Sequence, residues 1–296
     1  MAASDRIVAE GADRYRRPGL VERLAMRLSK LAWRPSIRQP LKKMYLRALT
    51  LQTRGRGLPA SLPGGESVRV LPEYGFLSWN PDEYRAFREA VRPGMTALDI
   101  GANVGAYSLL IGQWVGSSGA VFAFEPAPDA HDGLQRHIHL NALDAVVTPV
   151  RAAAGAASST SRFVVGTTAG ESRLATPSTL AALATTSGGE ATTVDVPVTT
   201  IDEFCAREHL TPDFIKIDVE GAELDVLRGA RDTIRRTRGR LSLFVEMHPS
   251  IWRSSGVTLA DVRAELDTQQ LDAVPLTPTD DPWAIEGVCL RLVARS

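Results

Sequence analysis

Between Thr96 and Met247, short apolar runs alternate with helical stretches, and this alternation most narrows the folds open to the chain. The runs Thr96–Ile100, Val121–Glu125, Val146–Val150, Phe214–Asp218 and Leu241–Met247 hold too few polar residues for strands with one wet face. Strands covered on both sides, with helical sequence between them, predict an α/β fold: a mostly parallel sheet with helices on both faces. Runs near Ala273–Leu276 and Val288–Leu292 would complete that sheet. The uncharged stretch Ile100–Phe124 has the length of a membrane span, but five glycines with Asn103 and Gln113 break it. A buried strand–helix–strand unit accounts for it better.

At 296 residues, 44% hydrophobic and 23% charged, the chain has room for one such domain plus an appendage. The charge shows where the appendage lies. Residues 1–57 hold 14 Lys or Arg against 4 Asp or Glu, although the whole chain has a formal net charge of zero. Within that basic stretch Leu20, Val21, Leu24, Leu28 and Leu31, then Ile37, Leu41, Met44, Tyr45 and Ala48, recur at helical spacing. A basic amphipathic helix can lie peripherally on an anionic membrane. Packing on the core, or on a second copy in a homodimer, is the commoner use and the one expected. Arg54–Gly57 and Pro59–Gly65 predict a linker, dividing the chain into a basic helical region, 1–65, and an α/β domain, 66–296. Residues 152–193, of which 31 of 42 are Ala, Gly, Ser or Thr, predict a lid or a plain flexible loop. Cys205 and Cys289 give neither a disulfide framework nor metal-type spacing, and no apolar leader follows the polar first residues. A reducing, cytoplasmic setting is expected.

Chemistry concentrates at the strand ends. Thr96-Ala-Leu-Asp-Ile-Gly-Ala-Asn-Val-Gly-Ala-Tyr-Ser runs from a strand through a glycine-rich turn into a helix beginning near Ala106. Gly101 and Gly105 let the backbone turn tightly and approach a ligand closely. Ligands of open α/β sheets bind beyond the carboxyl ends of the strands, where this turn falls. A dinucleotide turn needs G-x-G-x-x-G around a pyrophosphate. Here Asn103 takes the middle position, and Asp99 would set a carboxylate beside the phosphate. This counts against a nicotinamide-dependent oxidoreductase and suits a cationic ligand; S-adenosylmethionine, with its amino group and sulfonium, is such a ligand. The next strand ends in Phe124-Glu-Pro, where Glu125 can accept hydrogen bonds from ribose hydroxyls and Pro126 stops the strand. Asp218 ends a later strand and Gly221 permits the turn after it. Glu246 and His248, two apart on an extended segment, share a face at the end of the next. Two adjacent strand ends should gather Asp218, Glu220, Glu246 and His248 around one crevice.

The sequence resembles the FkbM family of methyltransferases over about residues 80–250. Besides Leu98-Asp-Ile-Gly-Ala-Asn-Val-Gly and Phe124-Glu-Pro, the resemblance rests on Val198-Thr-Thr-Ile-Asp-Glu-Phe, Phe214-Ile-Lys-Ile-Asp-Val-Glu-Gly-Ala-Glu-Leu and Phe244-Val-Glu-Met-His-Pro, in that order. It implies a class I methyltransferase fold, Rossmann-like, that uses S-adenosylmethionine to methylate hydroxyls of sugars, polyketides and related small molecules. It implies that Asp99, Gly101, Asn103, Gly105 and Glu125 bind the cofactor, with Ala102, Pro126 and Asp218 beside them. Asp218, Glu220, Glu246 and His248 would lie at or near the reaction centre.

A hydroxyl acceptor must lose its proton as the new bond forms, and His248 is the natural recipient, oriented by Glu246 or Asp218. Carboxylates and an imidazole could instead hold a divalent ion, but hard ions prefer all-oxygen shells and no metal is expected. Glu220 and Glu223 can also be read as first-turn acids of the following helix. His137 and His139, two apart on a helix, face different ways, and His131 and His209 read as structural. A nucleic-acid acceptor is not expected, because the α/β portion is net acidic and would repel phosphates. N-methylation of a small amine, and a non-catalytic cofactor-binding or membrane-associated protein, are the alternatives.

Overall fold

The computed structural model describes residues 35–75, 77–164, 173–174 and 193–295, which form two compact units, one ending at Tyr84 and one beginning at Arg85. In the first, helix α1 (Pro35–Gln52) precedes an antiparallel hairpin of β1 (Leu58–Ser61) and β2 (Ser67–Val70). Part of the stretch expected to be a linker, Pro59–Ser61, is therefore paired backbone. Leu58 and Ala60 on one strand, and Val68 and Val70 on the other, are buried. This period-two pattern is short, but it puts four apolar side chains on one face. The Tyr84 hydroxyl donates to Glu66 Oε2 at 2.6 Å and accepts from the Gly64 N–H at 2.9 Å, fastening the turn between the strands. The helical run from Leu20 to Leu31 lies outside the described residues. No helix among the described residues is long and apolar enough to cross a membrane.

After α2 (Pro81–Ala90) the second unit alternates strand and helix: β3 (Thr96–Ile100), α3 (Ala106–Val115), β4 (Ala120–Phe124), α4 (Pro128–Leu140) and β5 (Val147–Val150). Next come β6 (Ala153–Ala154), β7 (Ser159–Val164), β8 (Arg173–Leu174), β9 (Thr193–Thr199) and α5 (Ile201–Arg207). The chain closes with β10 (Phe214–Ile217), α6 (Glu223–Arg228), α7 (Arg231–Arg236), β11 (Ser242–Met247), α8 (Pro249–Ser255), α9 (Leu259–Thr268), β12 (Leu271–Pro275) and β13 (Val288–Ala294). Seven strands form the main sheet in the order β12-β13-β11-β10-β3-β4-β5. Only β13 runs against its neighbours there. The sheet is mostly parallel, as expected, and every strand expected from the apolar runs is present.

The burial explains those runs. Every residue of β10 is buried, and so are four of the five in β3. Leu98, Ile100, Ile215, Ile217 and Val245 from the sheet meet Ile201, Phe204, Leu224 and Leu227 from the helices in one core. Each such side chain contributes about 1.5–3 kcal/mol when removed from water. Strand order reverses between β3 and β10, since β4 and β5 continue on one side and β11 on the other. Such a reversal opens a crevice beyond the carboxyl ends of the two strands.

The Ala/Ser/Thr-rich stretch departs from expectation. Its ends form a second sheet, ordered β6-β9-β7-β8. Val196 and Val198 of β9 pack with Phe163 of β7, Ala153 and Ala127, while Val194 is partly buried. The signal was the alternation in Thr193-Val-Asp-Val-Pro-Val-Thr, which starts at the last residue of that stretch and runs beyond it. Residues 165–172 and 175–192, with the lid expected there, lie outside the described residues.

Candidate active site

The glycine-rich turn sits at the strand reversal. In register, Asp99 of β3 lies opposite Lys216 of β10, and Ile100 opposite Ile217. The chain leaves β3 at Gly101 with φ +83°, passes Asn103 at φ +51° and enters α3 from Gly105 at φ +93°. At Gly101 the requirement for glycine is also steric, because a Cβ there would stand 1.7 Å from the backbone oxygen of Asp218. The turn is held from several sides. The N–H groups of Gly101 and Ala102 both donate to the Phe124 carbonyl, and the Asn103 N–H donates to Glu125 Oε2 at 2.9 Å. Nδ1 of the fully buried His137 lies 2.7 Å from the Val104 carbonyl. A histidine that sequence alone leaves without a role thus buttresses the turn from α4.

Glu125 takes a second backbone hydrogen bond, from the Ala127 N–H at 2.8 Å, across Pro126. Burial, outweighing both bonds, pushes its carboxyl from 4.5 up to about 7. A folded pKa above the unfolded one means that this group's contribution to stability is complete below about 4.5 and is lost as pH rises through about 7. The loss is at most about 3 kcal/mol. Glu125→Gln, which cannot ionise, should therefore keep stability that the native chain loses between pH 5 and pH 8 in urea unfolding. Equal losses in both proteins would contradict the assignment.

Asp99 is buried, with Oδ2 accepting from Ser108 Oγ at 2.5 Å. Burial raises its pKa, opposed by the charge of Lys216 and the Ser108 hydrogen bond. The buried Lys216 ammonium donates to Asp218 Oδ2 at 3.0 Å, lies 3.9 Å from Asp99 Oδ1 and sits over the Tyr107 ring. So Asp99 does not offer an unmatched charge, as the sequence suggested; an internal lysine balances it. Two buried oxygens at the turn, Asp99 Oδ1 and Asn103 Oδ1, have no hydrogen-bond partner among the described residues. Such atoms cost free energy unless a donor reaches them. Acceptors beside a backbone that only glycine can form fit a ligand bearing ammonium or hydroxyl donors.

The facing wall comes from β10, α6 and β11. Past β10 the backbone takes Glu220 and Gly221 through φ +52° and +103°, and a Cβ on Gly221 would meet Ile251 at 2.3 Å. Glu223 then turns inward, 1% exposed, where it accepts from the Gly221 N–H, from Trp252 Nε1 at 2.6 Å and from His248 Nδ1 at 2.8 Å. His248 Nε2 stands 3.9 Å from Asp218 Oδ1 and 3.8 Å from Glu246 Oε1. Burial works against a charged ring, yet the hydrogen bond and charge of Glu223, with the charges of Asp218 and Glu220, push His248 up to about 9.

A profile of the Methyltransferase FkbM domain matches residues 99–273, more than half of the chain. The chain belongs to the FkbM methyltransferase family. Hexuronic acid methyltransferase AglP of Haloferax volcanii is 26% identical to it over 187 residues, 63% of this chain and 70% of AglP. Among solved structures, the FkbM methyltransferase of Methylobacillus flagellatus KT is 21% identical with a TM-score of 0.43, covering 71% of this chain. The chain spans 50% of the length of that protein. An O-methyltransferase from Bacillus cereus, solved with SAH, is 11% identical with a TM-score of 0.43, over 74% of this chain and 82% of that one.

In this FkbM family chain, the residues singled out from sequence converge on two neighbouring groups. Asp99, Gly101, Ala102, Asn103, Gly105, Glu125 and Pro126 form the turn and its clamp, and Asp218, Glu246 and His248 form the facing cluster. One assignment changes: neither Glu246 nor Asp218 hydrogen-bonds His248 Nδ1, and Glu223 does. A glutamate at the first position of a helix reads as a dipole partner, and only the fold shows it facing the end of β11. Lys216, Ser108 and His137 were likewise missed. A lysine inside an apolar strand, Phe214-Ile-Lys-Ile, was the one available signal, since a buried lysine needs a carboxylate nearby.

Proposed function

We propose that this chain transfers the methyl group of S-adenosylmethionine to a hydroxyl of a small, sugar-like acceptor. The observation that carries the reading is that two buried oxygens without a hydrogen-bond partner among the described residues lie at the β3/β10 reversal, where the His248 cluster also stands. When bound, S-adenosylmethionine supplies an electrophilic methyl carbon on a sulfonium. Asp99 Oδ1 and Asn103 Oδ1 would accept its donors, Gly101 and Gly105 let the backbone come close, and Glu125 holds the turn in shape while keeping lone pairs for ribose hydroxyls. Asp218 and Glu246, both partly exposed, can accept from neighbouring hydroxyls of an acceptor and so align it. The acceptor's proton leaves toward these carboxylates, and toward His248 Nε2 at pH values where that ring is neutral. A sugar-type acceptor is favoured by this acceptor-rich wall, and AglP, named for a hexuronic acid, points the same way.

Calorimetric titration with S-adenosylmethionine, alongside NADH and the Asp99→Ala variant, tests the cofactor. Micromolar binding to the native chain, at least tenfold weaker in the variant and absent for NADH, is expected. Mass spectrometry with hexuronic acids, neutral hexoses and small amines then tests the acceptor. Methylation confined to the amines would replace the hydroxyl by a nitrogen. No cofactor binding at all would leave a non-catalytic protein.

A further inference from the structure

His248 is 6% exposed, and its two ring nitrogens have different surroundings. Nδ1 is fixed at 2.8 Å from Glu223 Oε1, and that carboxylate is itself held by Trp252 Nε1 and the Gly221 N–H. Nδ1 therefore carries the donated proton, and in the neutral ring Nε2 keeps a lone pair. Among the described residues, nothing hydrogen-bonds Nε2. Its separations of 3.9 Å from Asp218 Oδ1 and 3.8 Å from Glu246 Oε1 exceed the N–H···O range of about 2.7–3.2 Å. Two ligand atoms, each about 2.0–2.2 Å from a shared ion, stand about 3–4 Å apart, which is the spacing found. All three atoms lie within 4.8 Å of one another.

On Asp218, a neighbouring group decides which oxygen faces the cluster. Lys216 Nζ takes Asp218 Oδ2, so Oδ1 is the one left on the His248 side. A Cβ on Gly287 would come within 3.0 Å of Glu246 Oε1, so a side chain there would crowd that oxygen. Asp218 and Glu246 retain 28% and 21% side-chain exposure, opening the trio to solvent on one side with His248 closed behind it. A carboxylate hydrogen-bonded to the far nitrogen of a ligating imidazole is the usual outer shell of a metal site. Three protein ligands and an open side leave room for a substrate oxygen.

We propose that Asp218 Oδ1, Glu246 Oε1 and His248 Nε2 bind one divalent ion, Mn2+ or Zn2+ by their mixed oxygen and imidazole set, which takes the acceptor hydroxyl on its open side. This rests on methyl transfer to a hydroxyl as read above, and it assigns His248 the part of ligand, not base. On the ion the hydroxyl gives its proton to solvent water. Its oxygen supplies the electron pair of the new O–CH3 bond, and the pair of the broken S–CH3 bond stays on sulfur.

The test takes the full chain, stripped with EDTA, and titrates it with Mn2+ by calorimetry and electron paramagnetic resonance. One site per chain is expected, weakened at least tenfold by Glu246→Gln, abolished by His248→Ala and weakened about 10–100-fold by Glu223→Gln. Melting curves without Mn2+ separate a lost ligand from a lost fold, and partly exposed Glu246 keeps the experiment decisive where His248→Ala does not fold. Methyl transfer by the stripped chain should fall and return with added Mn2+. S-adenosylmethionine binding by the same stripped chain is measured in parallel. Cofactor binding without a stoichiometric Mn2+ site overturns the ion and leaves the methyltransferase reading intact. A Mn2+ site that these substitutions remove, in a chain that binds no cofactor, upholds the ion and sinks that reading. Mn2+ binding indifferent to all three substitutions also overturns the proposal.

Discussion

Gly101→Ala is expected to lower the melting temperature by roughly 10 °C and to weaken S-adenosylmethionine binding at least 100-fold. The new Cβ would lie 1.7 Å from the Asp218 carbonyl oxygen and 2.7 Å from its carbon, and both are backbone atoms. They cannot rotate away as a side chain tip can. The Asp218 N–H also donates to the Ile100 carbonyl at 2.9 Å, so relief requires β3 and β10 to part where they hydrogen-bond. Strain from a left-handed φ costs about 1–2 kcal/mol and overpacking about 1–3 kcal/mol more. Gly239→Ala is the control, with φ +86° and nothing within 4 Å of the added carbon. It isolates the dihedral cost, and its melting shift should be less than half as large. Equal shifts for the two variants, with cofactor binding kept in Gly101→Ala, would show that the close approach does not matter.

Glu223→Gln is the second large effect expected, with methyl transfer falling about 100-fold and stability by about 3 kcal/mol. The carboxylate accepts from three donors: the Gly221 N–H, Trp252 Nε1 and His248 Nδ1. An amide offers one oxygen and turns its NH2 toward a donor, leaving buried polar atoms unsatisfied. The His248 ring, raised to about 9 chiefly through Glu223, should then titrate at lower pH. Its contribution to stability is complete below 6.5 and lost as pH rises through about 9, so the variant should also lose less between pH 7 and 9.5 than the native chain. Nuclear magnetic resonance titration of the ring and melting across that range read both effects. A histidine pKa unmoved by the substitution would show that Glu223 only fills space.

Burial on both faces of a strand leaves a mostly apolar run, so the parallel sheet and its strand positions could be read directly from Thr96–Ile100 or Phe214–Ile217. The turn was legible for a related reason: left-handed and crowded backbone demands glycine, as at Gly101. Less could be read where the pattern was short or averaged out. The hairpin at Leu58–Val70 offers two buried residues per strand, and the partners of β9 in its sheet, β6 and β7, are short runs inside a stretch dominated by small residues. The N-terminal basic run and most of the Ala/Ser/Thr-rich stretch gain nothing from the described residues.

Local sequence determined which residues end strands, and hence that Asp99, Glu125, Asp218, Glu246 and His248 would lie along one edge of the sheet. Strand order, packing and side-chain direction decided the rest. Neither that β10 lies beside β3, nor that Lys216 sits between Asp99 and Asp218, nor that Glu223 crosses to His248 25 residues away follows from spacing along the chain. Periodicity encodes which face of an element is buried, whereas the partner of a buried charge is set by what packs against that face in three dimensions.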